Sequence, residues 1–344
     1  MTAQAASVEA ASGITQEIFS EWHDGLARTS PFWYGVEKGD LREKKSGGLL
    51  LQSPIKLFKN QSQGFISLTG ATLGITPSQQ FQYMQLNWKA HYTAINFTLY
   101  DEVVSGGSND KIDYMAGKIQ GSLSDSEREM AQYTFLGTYD TVDGTQSSNP
   151  LSWDGLEDVC VASGNPYGGL TDTDYTDDGA AFLPYISTNS QPVYGTIDDM
   201  INEIKARVGK SPFNPKKYWG IMGSKVFTRF KTLVQASQIF GPFLNTKDTF
   251  AVGFSGFNVD DCDFYLDAYC TGTNTVGSTN NRIFVVPMEV FKFHYRFGFD
   301  VECPFDTDEL RIPANPVIST QKITVGNWVC EDRRLVAVNK SIKI

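Results

Sequence analysis

The chain lacks any apolar run long enough to cross a bilayer. Its longest are a few residues, such as Ile283-Phe284-Val285-Val286, against the ~20 that a spanning helix needs, so no membrane-integral protein is expected. Between Met1 and Gly13 there is no Lys, no Arg and no apolar block. A secretory leader has neither of its parts here, and synthesis without export is the expectation. Histidine is scarce, at three in 344 residues, and His23, His91 and His294 are followed by Asp24, Tyr92 and Tyr295. The paired histidines of a zinc-protease helix are therefore missing. Five cysteines, Cys160, Cys262, Cys270, Cys303 and Cys330, form no Cys-x-x-Cys pair and read as buried thiols rather than as zinc ligands or disulfides.

Other chemical motifs fail at named positions. Gly209-Lys210-Ser211 ends like a phosphate-binding loop, but that loop needs a glycine where Ile204 stands. Asp172-Thr173-Asp174-Tyr175-Thr176-Asp177 begins like a calcium loop, with Asp177 in the place of its turn glycine. Gly253-Phe254-Ser255-Gly256 lacks the spacing of a nucleophile elbow. No enzyme, no cofactor and no metal site is expected.

What the chain has is an uneven charge. Its 29 Lys+Arg and 39 Asp+Glu give a formal charge of −10, too mild for a disordered acidic tail. Positions 140–200 carry 11 acidic residues and no Lys or Arg, whereas 201–239 carry eight basic residues and one acid, Glu203. These read as a solvated acidic loop beside a basic-faced helix, or as complementary patches between copies of one protein. Nucleic-acid binding is disfavoured by the acidic total, since affinity for phosphates needs many Lys and Arg.

The pattern along the chain is mixed. Ile14, Ile18, Phe19, Trp22 and Leu26 fall on one helical stripe, ended by Ser30-Pro31, and this arm must dock on its own domain or on a neighbouring chain. Leu49 to Phe58, the polar turn 59–64, Phe65 to Leu68, and the alternation of Leu86, Trp88, Ala90 and Tyr92 read as strands of a long hairpin. Its glycines and glutamines leave little to bury on either face, so it is expected outside the core, where exposed edges invite pairing. Ile112, Met115, Ile119, Leu123, Met130 and Phe135 predict one helix from about Asp110 to Leu136, roughly 40 Å long at 1.5 Å per residue. Its charges Asp125, Glu127, Arg128 and Glu129 read as solvated. Thr196-Ile197-Asp198-Asp199 opens a further helix that Gly209 stops, Tyr218 to Met222 reads as a buried strand, and Ser224 caps a helix carrying Val226, Phe227, Phe230, Leu233 and Val234. Short strands follow from Phe250 onward. Strands, then helices, then strands predict an α+β fold.

Taken in order, several segments resemble the major capsid proteins of tailed bacteriophages with the Hong Kong 97-like fold. Gln85-Leu86-Asn87-Trp88-Lys89-Ala90, Ile95 to Leu99 and the helix from Asp110 resemble the family's strand leading into its spine helix. Trp153-Asp154-Gly155-Leu156 followed by Asn165-Pro166-Tyr167-Gly168-Gly169-Leu170 resembles the start of its axial domain, although Thr171-Asp172-Thr173-Asp174 replaces the Arg/Trp residues often found next. Val252 to Asp261 and Arg282 to Pro287 resemble the strands closing that domain, and Gly326-Asn327-Trp328-Val329-Cys330 with Arg333-Arg334 resembles the C-terminal hairpin.

The resemblance implies an N-terminal arm at 1–35, an extended hairpin loop at 36–85, a peripheral domain at 86–145 and 304–344, and an axial domain at 146–303. It implies a virion protein, assembled in the bacterial host cytoplasm, that associates with itself as hexamers and pentamers of an icosahedral head around double-stranded DNA. Scaffolding, portal and decoration proteins would be its other partners. The assembly interface would draw on Phe19 and Trp22 of the arm, Lys56 and Lys59 of the hairpin loop, and Arg333 and Arg334 near the C-terminus. Covalent cross-linking is not expected from Lys56, Lys59 and Asn60 alone. Two other readings stay open: an encapsulin-like nanocompartment holding cargo protein, and a secreted ligand-binding module suggested by the 13% aromatic content.

Overall fold

The computed structural model of the chain describes residues 30–39, 41–56, 62, 81–98, 108–137, 151–160, 166–170, 182–189, 194–208, 218–236, 256–259, 262–270, 281–299, 310–311 and 317–342. The arm residues Ile14 to Leu26, the strand at Phe65 to Leu68, the Asp172–Asp177 run, Gly209 and Cys303 lie outside them. In chain order the elements are α1 (Pro31–Glu37), β1 (Arg42–Lys45), β2 (Leu50–Lys56), β3 (Phe81–Asn87), β4 (Lys89–Thr98), α2 (Ser108–Leu136) and α3 (Leu156–Val159). They continue as β5 (Tyr185–Ser187), α4 (Tyr194–Val208), β6 (Tyr218–Met222), α5 (Ser224–Ala236), β7 (Gly256–Val259) and β8 (Cys262–Leu266). Last come β9 (Asn281–Pro287), β10 (Phe291–Arg296), β11 (Leu310–Arg311), β12 (Val317–Cys330) and β13 (Ala337–Ile342). The fold is mixed α+β.

Two compact units are distinguished, one of residues 1–28, 90–130 and 298–324, the other of 29–89, 131–297 and 325–344. In the first, β11 runs antiparallel to β12, with Leu310 opposite Ser319 and Arg311 opposite Ile318, and β4 also pairs with β12. The long helix α2 presents Ser126 and Met130 inward. Its Glu129 meets His91 of β4 at 3.3 Å, while Arg128 pairs with Asp125 along the helix at 3.1 Å.

The larger unit holds a six-stranded sheet of order β5-β13-β9-β6-β8-β7. Its middle strand, β9, is buried at every residue, which is why Ile283-Phe284-Val285-Val286 reads as an unbroken apolar run rather than as an alternation. β9 is antiparallel to both β13 and β6, and β6 is parallel to β8. Positions 337–342, grouped by sequence with the spine helix, thus hydrogen-bond to a strand from the 146–303 segment. Gly220 of β6 lies against Phe264 of β8, where a Cβ would fall 2.2 Å from the ring; only glycine permits that approach. Helix α4 buries Ile197, Met200, Ile201 and Ile204, the stripe its spacing predicts. Among the described cysteines, Cys160, Cys262, Cys270 and Cys330 are buried free thiols, as expected.

A second core in this unit is aromatic. Ser30 accepts a hydrogen bond from Trp33 N at 3.2 Å and Pro31 takes the first turn, so Ser30-Pro31 starts a helix rather than merely ending one. A seven-residue helix does not persist alone in water. This one is held by burial of Phe32, Trp33 and Val36. Phe32 stacks on Phe291 and Trp328 with ring centroids 5.9 and 5.3 Å away, and Trp33 stacks on Trp153 at 5.8 Å. Beneath them β10 lies between β12, antiparallel, and β1, parallel.

The hairpin departs from expectation. β2 pairs with β3, Leu51 opposite Leu86, Ser53 opposite Met84 and Ile55 opposite Gln82. Leu51, Ile55, Met84 and Leu86 are buried, so the paired strands do have an apolar face. It is covered by the turn at Tyr167–Leu170, where Gly168 has φ 60° and its Cα faces Met84 so closely that a Cβ would sit 2.1 Å from Cγ. Gly168 O accepts from Gln85 N at 2.9 Å.

Candidate assembly surfaces

The outward face of the hairpin carries Lys56 opposite Phe81 and Pro54 opposite Tyr83, with Phe81 and Tyr83 more than half exposed. Beside it lies a cleft of about 370 Å³ lined by Gln82, Gln85, Asn87, Gly168 and Gly169, among others. Exposed aromatics next to amide side chains suit contact with another protein surface. Of the residues read as interface candidates, Lys56 is thus on a surface, while Phe19, Trp22 and Lys59 lie outside the described residues.

Arg333 is corrected. It is fully buried, its Nε donating to Phe182 O and its guanidinium lying 5.0 Å from the Phe182 ring, so it braces the interior and offers nothing to a partner. Arg334 is part-exposed and forks onto Asp332, Nε to Oδ1 at 2.8 Å and Nη2 to Oδ2 at 2.6 Å. The adjacent pair reads as one basic patch in sequence. The 3₁₀ turn at Arg333–Leu335, capped by Asp332, turns the two side chains apart.

Three buried polar sites escaped the sequence reading. The first is Asp267, beyond the end of β8, whose Oδ2 accepts from Ser30 Oγ at 2.6 Å and Oδ1 from Tyr269 N at 2.8 Å. It ties the start of α1 to the six-stranded sheet. Burial pushes its carboxyl up to about 6, against the hydrogen bonds that favour the anion. The second is His294, buried on β10 with Nε2 3.9 Å from Glu43 Oε2. Burial, and then the Lys45 ammonium, push it down to about 4. The third is Glu157 of α3, buried against Arg282 of β9 with Lys340 Nζ of β13 at 3.0 Å. None of the three carries a sequence signal, since Ser30-Pro31 reads in sequence as the end of the arm helix rather than as the start of α1.

Asp267 and His294 act on stability with opposite sign. A carboxyl raised from 3.8 to about 6 contributes stability that is fully present below pH ~4 and lost as pH rises through ~6. A histidine lowered from 6.5 to about 4 contributes stability present above pH ~6.5 and lost as pH falls through ~4. Each shift corresponds to about 3 kcal/mol, and the two largely cancel in the native chain. Relative to wild type, Asp267→Asn is expected to gain about 2–3 kcal/mol between pH 4 and 7.5, and His294→Asn to gain a similar amount in the reverse direction. Urea unfolding at both pH values checks this; parallel pH profiles for the three proteins would refute it.

A further surface, apart from the hairpin face, is basic. β1 stands at the end of its sheet, paired only with β10 among the described residues, and its sequence is Arg42-Glu43-Lys44-Lys45. Lys45 lies opposite Arg296 in the parallel register, and Lys44 Nζ sits 3.8 Å from the centre of the Phe297 ring. Phe297 is 64% exposed. The acid, Glu43, is part-exposed and paired with Lys45, with Lys292 Nζ at 3.8 Å, and these cations keep its carboxyl below the usual range, the Lys45 hydrogen bond foremost.

No helix among the described residues is long and apolar enough to cross a membrane. No protein-family model matches the chain, and no curated protein matches it by sequence. The fold does match. A chain of the capsid of cyanophage A-1(L) aligns with a TM-score of 0.63 at 10% identity, covering 96% of this chain and 97% of that one. The encapsulin SrpI from Synechococcus elongatus aligns at 0.59 with 9% identity over 97% and 95%. The capsid of a native GTA particle aligns at 0.58 with 12% identity over 96% of both chains. The chain has the fold of tailed-phage capsid proteins, which is the fold the ordered segments resemble.

Proposed function

We propose that the chain is the subunit of a closed protein shell, the major capsid protein of a tailed phage, which assembles from hexamers and pentamers around double-stranded DNA. The observation that carries this reading is the match of fold over nearly the whole of both chains at the capsid neighbours. It leaves no unmatched domain in which a separate activity would reside. In this reading the paired strands β2 and β3 form the base of the extended hairpin loop, α2 is the spine helix, and the arm is rooted at Ser30, where Asp267 fastens it. Phe19 and Trp22 of the arm, Lys56 and Lys59 of the loop and the part-exposed Arg334 are the proposed intersubunit contacts. Scaffolding, portal and decoration proteins are the proposed further partners, and the virion the proposed location. No catalysis is assigned.

The match to an encapsulin favours a second reading, a nanocompartment whose contents are protein. One experiment separates them. Sedimentation velocity and electron microscopy of the purified chain over a concentration series are expected to show rings of five and six or closed particles. A 38.1 kDa species at every concentration would overturn both readings. Nuclease-protected DNA inside particles from the native source supports the phage head; a co-purifying protein cargo in its place supports the nanocompartment.

A further inference from the structure

At the base of the hairpin, an amine and a primary amide share one carboxylate. Lys89, the first residue of β4, places Nζ 2.7 Å from Asp154 Oδ1. Asn327 of β12 donates from Nδ2 to Asp154 Oδ2 at 2.5 Å and to Asn87 O at 2.9 Å. Its Oδ1 accepts from two backbone groups, Asp154 N and Trp328 N, each at 2.9 Å. A backbone N–H only donates, and a carbonyl oxygen or carboxylate only accepts, so these four bonds fix which end of the amide is which. Asn327 is fully buried, and the side chains of Lys89 and Asp154 are 11% and 16% exposed. Trp153 and Trp328, their neighbours in sequence, both pack on Phe293. The three groups thus meet beside the aromatic core, largely out of water.

We infer that Lys89 and Asn327 become joined by an amide bond within one chain, with Asp154 carrying the proton and ammonia as the product. The Lys89 ammonium gives a proton to Asp154 Oδ1 along their hydrogen bond, which frees the Nζ lone pair. Nζ attacks Asn327 Cγ, and the negative charge that gathers on Oδ1 meets the N–H groups of Asp154 and Trp328, already in place. The Nζ–Cγ bond forms and the Cγ–Nδ2 bond breaks. Nδ2, which touches the Asp154 carboxyl from the start, takes the proton from it and leaves as ammonia. Nζ returns one proton to Asp154, which passes it to the ammonia and is a carboxylate again. One ammonium and one amide thus become a substituted amide and an ammonium ion, and no oxidant or reductant is consumed. Holding amine, acid and amide in one place supplies what an amine and an amide lack when free in water. The bond ties the base of the hairpin to the strand that carries Trp328. It joins no two copies, so it stands apart from the shell reading.

Mass spectrometry of the purified full chain tests this. The intact protein is expected to weigh one ammonia less than its sequence, and a proteolytic digest to contain a branched peptide in which Lys89 is joined to Asn327. A structural ion pair would leave every atom of the sequence in place. The branched peptide is expected to be absent from Lys89→Arg and, in freshly purified Asp154→Asn, at least about tenfold scarcer than in wild type. Circular dichroism checks that both variants fold, and the wild-type digest decides the matter without them. A wild-type chain at full sequence mass, with Lys89 in a linear peptide, overturns the inference. So does a loss of ammonia without a branch, which would place the reaction at an asparagine closing on its own backbone. A branch as abundant in Asp154→Asn as in wild type overturns the part given to Asp154.

Discussion

Replacing Glu157 by Gln is expected to lower the unfolding free energy by about 3–5 kcal/mol, because it strands two cations that the fold has taken out of water. Glu157 is 3% exposed and its carboxylate serves both Arg282, itself buried, and Lys340. The three residues come from α3, β9 and β13, so this one side chain ties a short helix to two adjacent strands of the six-stranded sheet. Burial already pulls the Lys340 ammonium below its ordinary range, and removing the facing carboxylate would pull it further. The expected loss belongs to the broken pair rather than to ion pairing as such. Glu157→Leu combined with Arg282→Met should therefore cost less than Glu157→Gln alone. Urea denaturation of the three proteins measures both differences, and a double variant as unstable as the single one would show that packing volume, not stranded charge, sets the cost.

Trp328→Ala is expected to cost a further 3–5 kcal/mol, about the upper range for a truncated core residue. The indole is fully buried on β12. It lies parallel to Phe291 at 4.7 Å and meets Phe293 edge-on at 5.5 Å. It is also the floor on which Phe32 of α1 rests. Its Nε1 donates to Thr134 Oγ1 at 3.1 Å, so truncation opens a cavity and removes a buried hydrogen bond together. Thr134→Val isolates the second effect and should cost about 1 kcal/mol. Loss of near-ultraviolet dichroism from the aromatic cluster in Trp328→Ala, at a denaturant concentration where wild type is unchanged, is the accompanying signature. A Trp328→Ala chain within 1 kcal/mol of wild type would remove this cluster as the second core.

The long helix and the central strands were legible because one local period sufficed to specify them. Ile112, Met115, Ile119 and Leu123 repeat every three to four residues, Met130 and Phe135 continue the stripe, and the structure runs that helix from Ser108 to Leu136. Tyr218–Met222 is a strand as expected. What local pattern did not reveal is where partners come from. Leu51 and Ile55 look sparse among polar residues until β3 and the Tyr167–Leu170 turn are laid beside them. Phe32, Trp33 and Val36 look like the tail of an arm until Trp328, about 300 positions later, is seen beneath them. Arg333 and Arg334 look alike, and one turn of 3₁₀ helix makes one of them interior. Asp267 and Glu157 carry no sequence mark because their meaning lies in desolvation, and desolvation is a property of the assembled core.

The buried cysteines make the chain's own clock. Burial pushes the Cys160 thiol up to about 12 and raises Cys270 and Cys330 well above their ordinary range, so at neutral pH these sulfurs are protonated as well as hidden. The nucleophile in alkylation is the thiolate. A small electrophile therefore reacts at Cys160, Cys270 or Cys330 when the surrounding strands part and water reaches the sulfur, and its rate at each position counts openings there. Cys270 times the loop that follows β8, Cys160 the short helix beside Glu157, and Cys330 the strand on which Trp328 sits. Three internal stopwatches, already present in the native sequence, read the breathing of three parts of one unit without a label being introduced.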